Sequence, residues 1–260
     1  MVRALIAGMA IALIAPMIGT FLVMRKFSLF ADSLAHVAFA GVAIGLITRT
    51  YPVVTAVIAC VIAAVIIEKL RSSNKVYSDS ALSLFLSGSL ALALTLISLA
   101  KGLNANILSY LFGSVIAVNQ QDVSIILALA VLVVVLIVTF YKELFYISFD
   151  EESAQVSGLP VKSINLLFMI LAAVTVALSM RVVGIMMVGA LMVIPVLSAL
   201  HLAHTFKSTL FLSVCFSMVS VFAGLLLSYY VQIAAGGAIV LVALFIFILV
   251  FFFGRLRRVP

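Results

Sequence analysis

Charge is what this sequence has least of. Only 9% of its 260 residues are Asp, Glu, Lys or Arg, while 67% are hydrophobic; soluble domains carry about 25% charged residues. Even a well-buried soluble fold of this size leaves roughly a quarter of its chain surface in water, and this composition cannot cover that surface with polar groups. Soluble enzymes, nucleic-acid binders and secreted disulfide scaffolds are thereby excluded. Cysteine is almost absent. Cys60 and Cys215 both lie inside apolar runs, where they read as small hydrophobes and not as a disulfide pair. Tryptophan is missing altogether, so any interfacial aromatic belt rests on tyrosines such as Tyr229 and Tyr230. Motifs are missing too. The chain has no His-Glu-x-x-His, no Gly-x-Ser-x-Gly and no Gly-x-x-x-x-Gly-Lys, which excludes membrane proteolysis and nucleotide hydrolysis by this chain. It is not read as an enzyme, and no permanently bound cofactor is expected.

What is present is a series of long apolar runs. A helix needs about 20 apolar residues to cross the hydrocarbon layer, and the runs fall near 4–24, 29–48, 53–67, 80–100, 124–140, 163–180, 182–200, 208–228 and 235–253. The third and fifth are short, and only Arg181 separates the sixth from the seventh. The fold class expected is all-α, a polytopic membrane protein with 8–9 spans in one domain over 1–260. The first run is too long for a signal peptide and is followed by Arg25 and Lys26, not by a cleavage site.

The net charge of +7 sits between the runs, where it sets orientation. With nine spans and the N-terminus outside, the inner face receives Arg25, Lys26, Lys69, Arg71, Lys75, Lys142, Lys162, Lys207, Arg255, Arg257 and Arg258. The outer face keeps Arg3, Arg49, Lys101 and Arg181. No internal repeat is visible, which argues against an inverted-repeat carrier.

The longest polar stretch on the inner side is 141–162. Within it, Asp150, Glu151 and Glu152 open a short helical pattern in which Ala154 and Val156 are apolar, and Gly158 and Pro160 stop it. A short capped helix on the cytoplasmic face suits docking onto a soluble partner; a solvated loop is the plainer alternative.

Of the eight acidic residues only Asp32 falls inside a span, and His36 follows it by four. At i and i+4 a carboxylate and an imidazole share one helix face and can reach one point. Ionisable groups in a span are costly and mark a pathway or ion site; a structural Asp–His pair, or a pair in the headgroup layer, competes with that reading. Ala35, Ala38, Ala40, Gly41, Ala43 and Gly45 make this a small-residue helix fitted for close packing, its own copy included. His201 and His204, spaced i and i+3 beside Lys207, can chelate in principle but read better as interfacial. Pro16 and Pro195 interrupt apolar spans and are expected to bend them.

Three stretches together carry a resemblance. They are Arg25 to Gly41 with its Asp32-Ser-Leu-Ala-His36 core, Phe149-Asp-Glu-Glu-Ser-Ala-Gln-Val-Ser-Gly-Leu159, and Arg181 to Pro195 with Gly236-Gly-Ala-Ile-Val-Leu further on. Over nearly its full length the chain resembles the permease of bacterial ABC transporters for zinc, manganese and iron. Ser33 and Ala35 stand where that family usually has Thr and Ser. The resemblance implies a plasma-membrane permease, homodimeric or pseudo-dimeric, served by two cytoplasmic ATPase subunits and an extracytoplasmic metal-binding protein. It makes Asp32 and His36 the pathway metal ligands. It makes Asp150, Glu151, Glu152, Ala154, Val156, Gly158 and Leu159 the contact with the ATPase. Two ligands do not complete the tetrahedron zinc prefers, but a two-fold axis repeats them into two carboxylates and two imidazoles. Zinc is the cargo expected, with manganese or iron second; a proton-coupled metal carrier is the rival mechanism.

Overall fold

The computed structural model describes residues 2–72, 78–99, 110–113 and 118–256. Lys75, Lys101, Arg257 and Arg258 lie outside the described residues. The longer helices are α1 (Val2–Met24), α2 (Leu29–Ile47), α3 (Pro52–Ser72), α4 (Ser78–Leu99), α5 (Gln120–Thr139), α6 (Tyr141–Phe149), α7 (Glu151–Val156), α8 (Val161–Val183), α9 (Ile185–Leu202), α10 (Phe206–Val231) and α11 (Ala235–Leu256). No strand occurs among the described residues. That is the all-α architecture expected of apolar runs, because a helix satisfies its backbone hydrogen bonds within one segment and lipid satisfies none.

Eight of these helices are long and apolar enough to cross a membrane. The remaining apolar run corresponds to α9, whose apolar part, Met187–Leu202, falls short of that length. The spans expected to be short are not. α3 has 21 residues and α5 has 20, because α3 continues through Glu68, Lys69 and Arg71 and α5 begins upstream at Gln120. The break between the sixth and seventh runs also moves. The chain stays helical past Arg181 and turns at Gly184, where φ is +91°. A Cβ there would lie 2.5 Å from the Gly113 nitrogen, so both the backbone angle and the space call for glycine. Pro16 and Pro195 sit inside α1 and α9, which run on through them.

The remaining ends have local causes. Pro52 opens α3, where a missing N–H costs nothing. The Asn119 N–H donates to the Asp122 carboxylate at 2.9 Å at the start of α5. The Thr205 hydroxyl accepts from the Ser208 N–H at the start of α10.

The helices run alternately up and down, so one end of the bundle gathers Arg25, Lys26, Lys69, Arg71, Lys142, Lys162 and Lys207, and the other keeps Arg3, Arg49 and Arg181. α1, α2 and α8 form the buried centre, and α3, α4, α5, α10 and α11 turn apolar faces outward. The small-residue helix α2 lies against α3, α4 and α9. Its Gly41 and Gly45 face α3 of the same chain: a Cβ on Gly41 would sit 2.6 Å from the Ala56 Cα, and one on Gly45 2.8 Å from the Pro52 Cα. This Gly-x-x-x-Gly therefore serves close packing on another helix, α3 of the same chain.

Candidate functional site

Two polar regions interrupt this apolar bundle. The first is on α2, where nearly every residue from Phe30 to Ala43 is buried. Leu29, Asp32 and His36 are the exceptions, a stripe one turn apart that is partly open. The neighbours of α2 frame the stripe. On one side the Ser33 hydroxyl donates to the Leu29 carbonyl at 2.9 Å and the Leu82 carbonyl of α4 at 3.0 Å. On the other, Gly189 of α9 lies against the Asp32 carboxylate, close enough that a Cβ on residue 189 would fall within 1.7 Å of Oδ1. Asp32 thus sits against α9, with His36 one turn further along the same helix face.

The chemistry of this pair is unfinished. Among the described residues no hydrogen bond joins Asp32 to His36, and the buried Nδ1 of His36 has no hydrogen-bond partner. A buried polar atom left unpaired costs about 1–3 kcal/mol, so a purely structural Asp–His pair is a poor account of it. An acceptor nitrogen and a carboxylate a turn apart fit a cation. Among the described residues no group of three or more His, Cys, Asp or Glu side chains gathers anywhere, so one copy supplies an incomplete set. Sequence reasoning passed over Gly189; the only trace of it is its place in the Met-Val-Gly-Ala stretch, and its contact with α2 needs the fold.

The second region is at the end that carries Arg25 and Arg71. Asp150 caps α7, its carboxylate accepting from the Ser153 hydroxyl and from the Ser153 N–H at 2.9 Å, and those bonds, the hydroxyl's first, hold its carboxyl below the usual range. Gly158 stops the helix with φ at +85°. Ala154 is fully buried, Leu159 is half-buried against the core, and Val156 is 89% exposed. Glu152 points to solvent. Glu151 does not. Its two oxygens accept from the Arg71 guanidinium at 2.7 and 2.8 Å, and its Oε1 also accepts from Asn165 of α8 at 2.9 Å. The Arg71 fork keeps the Glu151 carboxyl below its ordinary value. Arg71 also donates to Glu68 within α3. Arg25, just beyond α1, donates to Asn165 at 2.8 Å and to Ser148 of α6 at 3.0 Å. Burial pulls the Arg25 guanidinium down to about 10, with Glu151 opposing, so it stays charged at neutral pH.

Beside this network Phe206 gathers Phe21, Tyr141, Phe145 and Phe149 at centroid distances of 5.0–6.3 Å, which seats α6 against α1 and α10. His201 and His204 do not form a centre. His201 Nδ1 meets the Leu197 carbonyl at 2.8 Å, and its ring packs edge-on against Phe247 and Phe251.

The sequence and the fold were compared with known proteins. The profile of the ABC 3 transport family matches residues 1–254. A "Probable metal transport system membrane protein" of Treponema pallidum is 38% identical over 95% of this chain and 93% of its own length. The "High-affinity zinc uptake system membrane protein ZnuB" of Haemophilus influenzae is 32% identical over 96% and 95%. The "Manganese transport system membrane protein MntC" of Halalkalibacterium halodurans is 32% identical over 96% and 86%. Among solved structures, PsaBC from Streptococcus pneumoniae in complex with Fab matches with a TM-score of 0.84 and 32% identity, covering 96% of this chain and 90% of that one. With its apolar helices and this match along nearly the whole sequence, the chain belongs to the ABC 3 transport family and is a multi-pass permease of the bacterial plasma membrane.

Proposed function

We propose that this permease carries zinc through a site made by Asp32 and His36 of two copies of the chain. The observation that carries the reading is the buried, unpartnered Nδ1 of His36 one turn from a carboxylate, in a helix otherwise packed with apolar groups. One copy offers two ligands, and a two-fold axis makes them two carboxylates and two imidazoles, the number zinc prefers. Imidazole suits zinc, whereas manganese favours more oxygen ligands and six-coordination; Val37, Ala38, Phe39 and Ala40 beside the pair add no oxygen side chain. Cargo arrives from an extracytoplasmic metal-binding protein. Two cytoplasmic ATP-binding subunits drive its passage by docking on the segment 141–162, at Asp150, Glu152, Val156, Gly158 and Leu159, with Glu151 and the buried Ala154 fixing the helix from within. A lone proton-coupled carrier has no use for that docking segment.

Manganese is the second reading, because relatives of equal identity carry that metal in their names. Metal analysis of the purified protein decides both points. The expected result is one zinc per two chains, lost in His36→Ala with the protein still folded. Growth of a deletion strain under chelation should be rescued by zinc and not by manganese. Metal bound as before in His36→Ala overturns the site; rescue by manganese alone overturns the cargo.

A further inference from the structure

α7 has six residues, about 9 Å of helix, and buries a single side chain, Ala154. Helices shorter than about 12 residues are marginal in water, and one buried alanine cannot hold α7 against a load. What ties it to the spanning helices is polar. Glu151 takes both arms of Arg71 in α3 and the amide of Asn165 in α8. A forked guanidinium–carboxylate pair fixes orientation as well as distance. α3 in turn is packed on α2 through Gly41 and Gly45, and the Cys60 thiol of α3 donates to the Leu34 carbonyl at 3.3 Å. Leu34 lies between Asp32 and His36.

From this chain of contacts we propose that Glu151 and Arg71 are positioning residues that lock the docking helix α7 to α3, so that displacement of α7 moves α3 and, with it, the Asp32–His36 helix. The inference rests on the reading of α7 as the docking helix. It assigns Glu151 an inward role that exposed positions such as Glu152 and Val156 do not share. Arg71 is suited to this because its second carboxylate, Glu68, sits one turn away on the same helix and fixes the guanidinium from behind. A lysine could not hold both acids, since it lacks the planar fork.

The test uses the whole transporter, purified from native membranes through a tag on this chain and reconstituted into liposomes, with zinc uptake and ATP hydrolysis measured together. Glu151→Gln keeps the side-chain shape and its amide oxygen can still accept from Asn165, so the fold is preserved. The expected result is a retained ATPase that still hydrolyses ATP, with zinc moved per ATP falling about tenfold, within the range of about 5–150-fold for coupling between sites. Arg71→Gln should do the same, and the double variant should be no worse than the worse single one, as for two halves of one link. Glu151→Gln with an unchanged ratio overturns the proposal, as does loss of the ATPase from the purified complex, which would make Glu151 a direct contact. Scrambling Ala154–Leu159 is the companion measurement: if the ATPase stays bound and stimulated, the docking reading itself is wrong, a result distinct from a silent Glu151→Gln.

Discussion

At the scale of single residues, the features that matter are those an apolar helix has no other reason to carry. Asp32 and His36 stand out in the sequence because a charged or titratable side chain in a span is expensive, and their i, i+4 spacing already places them on one face. The residue that shapes their surroundings is silent by comparison. Gly189 belongs to α9, 157 positions away from Asp32 in the sequence, and nothing about a glycine in an apolar run says which side chain it touches. The atoms a Cβ there would meet first are the Asp32 carboxylate oxygen and carbon, with the Asp32 backbone nitrogen farther off at 3.3 Å, so an added methyl displaces the carboxylate first. Gly189→Ala should therefore leave the protein folded while weakening metal binding by about 10–100-fold, the usual effect of disturbing the groups that orient a ligand. Gly88→Ala is the control, since nothing lies within 4 Å of the Cβ it would add. Titration of purified protein with zinc reads both; equal affinities for the two variants refute the role given to Gly189.

At the scale of elements, α7 was legible in outline. An acidic start and a Gly-x-Pro stop are local signals, and Asp150, Ala154 and Gly158 occupy the cap, the buried face and the left-handed turn that those signals imply. The direction of Glu151 was not legible, because its partners Arg71 and Asn165 come from helices distant in sequence. α6 was equally hidden: its Tyr141, Phe145 and Phe149 become one aromatic face only once Phe206 of α10 is brought beside them. Two consequences are testable on this element. At Gly158 there is open space for a Cβ but φ is +85°, so Gly158→Ala costs backbone strain of about 1–2 kcal/mol and no clash. Hydrogen exchange across 150–160 should speed up in this variant while the spanning helices stay protected. The acid side follows from Glu151. Its carboxyl is held below its ordinary value in the folded chain, so its stabilisation is present above the usual glutamate range and lost as pH falls through and below it. Protection of α7, taken relative to the intrinsic exchange rate at each pH, should accordingly fall below about pH 4 and be flat from there to neutrality. In Glu151→Gln that acid step should shrink to the part carried by the Asp150 cap, whose carboxyl is also held below its usual range; an acid step of unchanged size in this variant assigns it elsewhere.

At the scale of the whole molecule, the number of spans follows from composition alone, and the departures from it have one cause. Run lengths were judged by apolarity, whereas helices are ended by caps and turns; α3 therefore outlasts its apolar run as far as Ser72, and α8 passes Arg181 to stop at Gly184. Arg181 is tolerated near the end of α8 because the Asp122 carboxylate at the start of α5 accepts from it. The placement of basic residues is a further whole-molecule property, and it predicts topology. Arg25, Lys26, Lys69, Arg71, Lys142, Lys162 and Lys207 share one end, and an excess of Lys and Arg marks the cytoplasmic side. α7 lies at that end and the Thr48–Thr50 turn between α2 and α3 at the other. Single cysteines test this, with Cys215 replaced by serine because it is partly exposed and Cys60 left in place because it is buried. Ser157→Cys, on an exposed hydroxyl at the end of α7, should react with a membrane-impermeant maleimide only after the cells are opened. Thr50→Cys should react in intact cells. The reverse pattern inverts the protein and puts the docking helix on the side where no ATP is hydrolysed, and labelling of both positions from one side means an even number of crossings separates them, which the three span-length helices between them, α3, α4 and α5, do not allow.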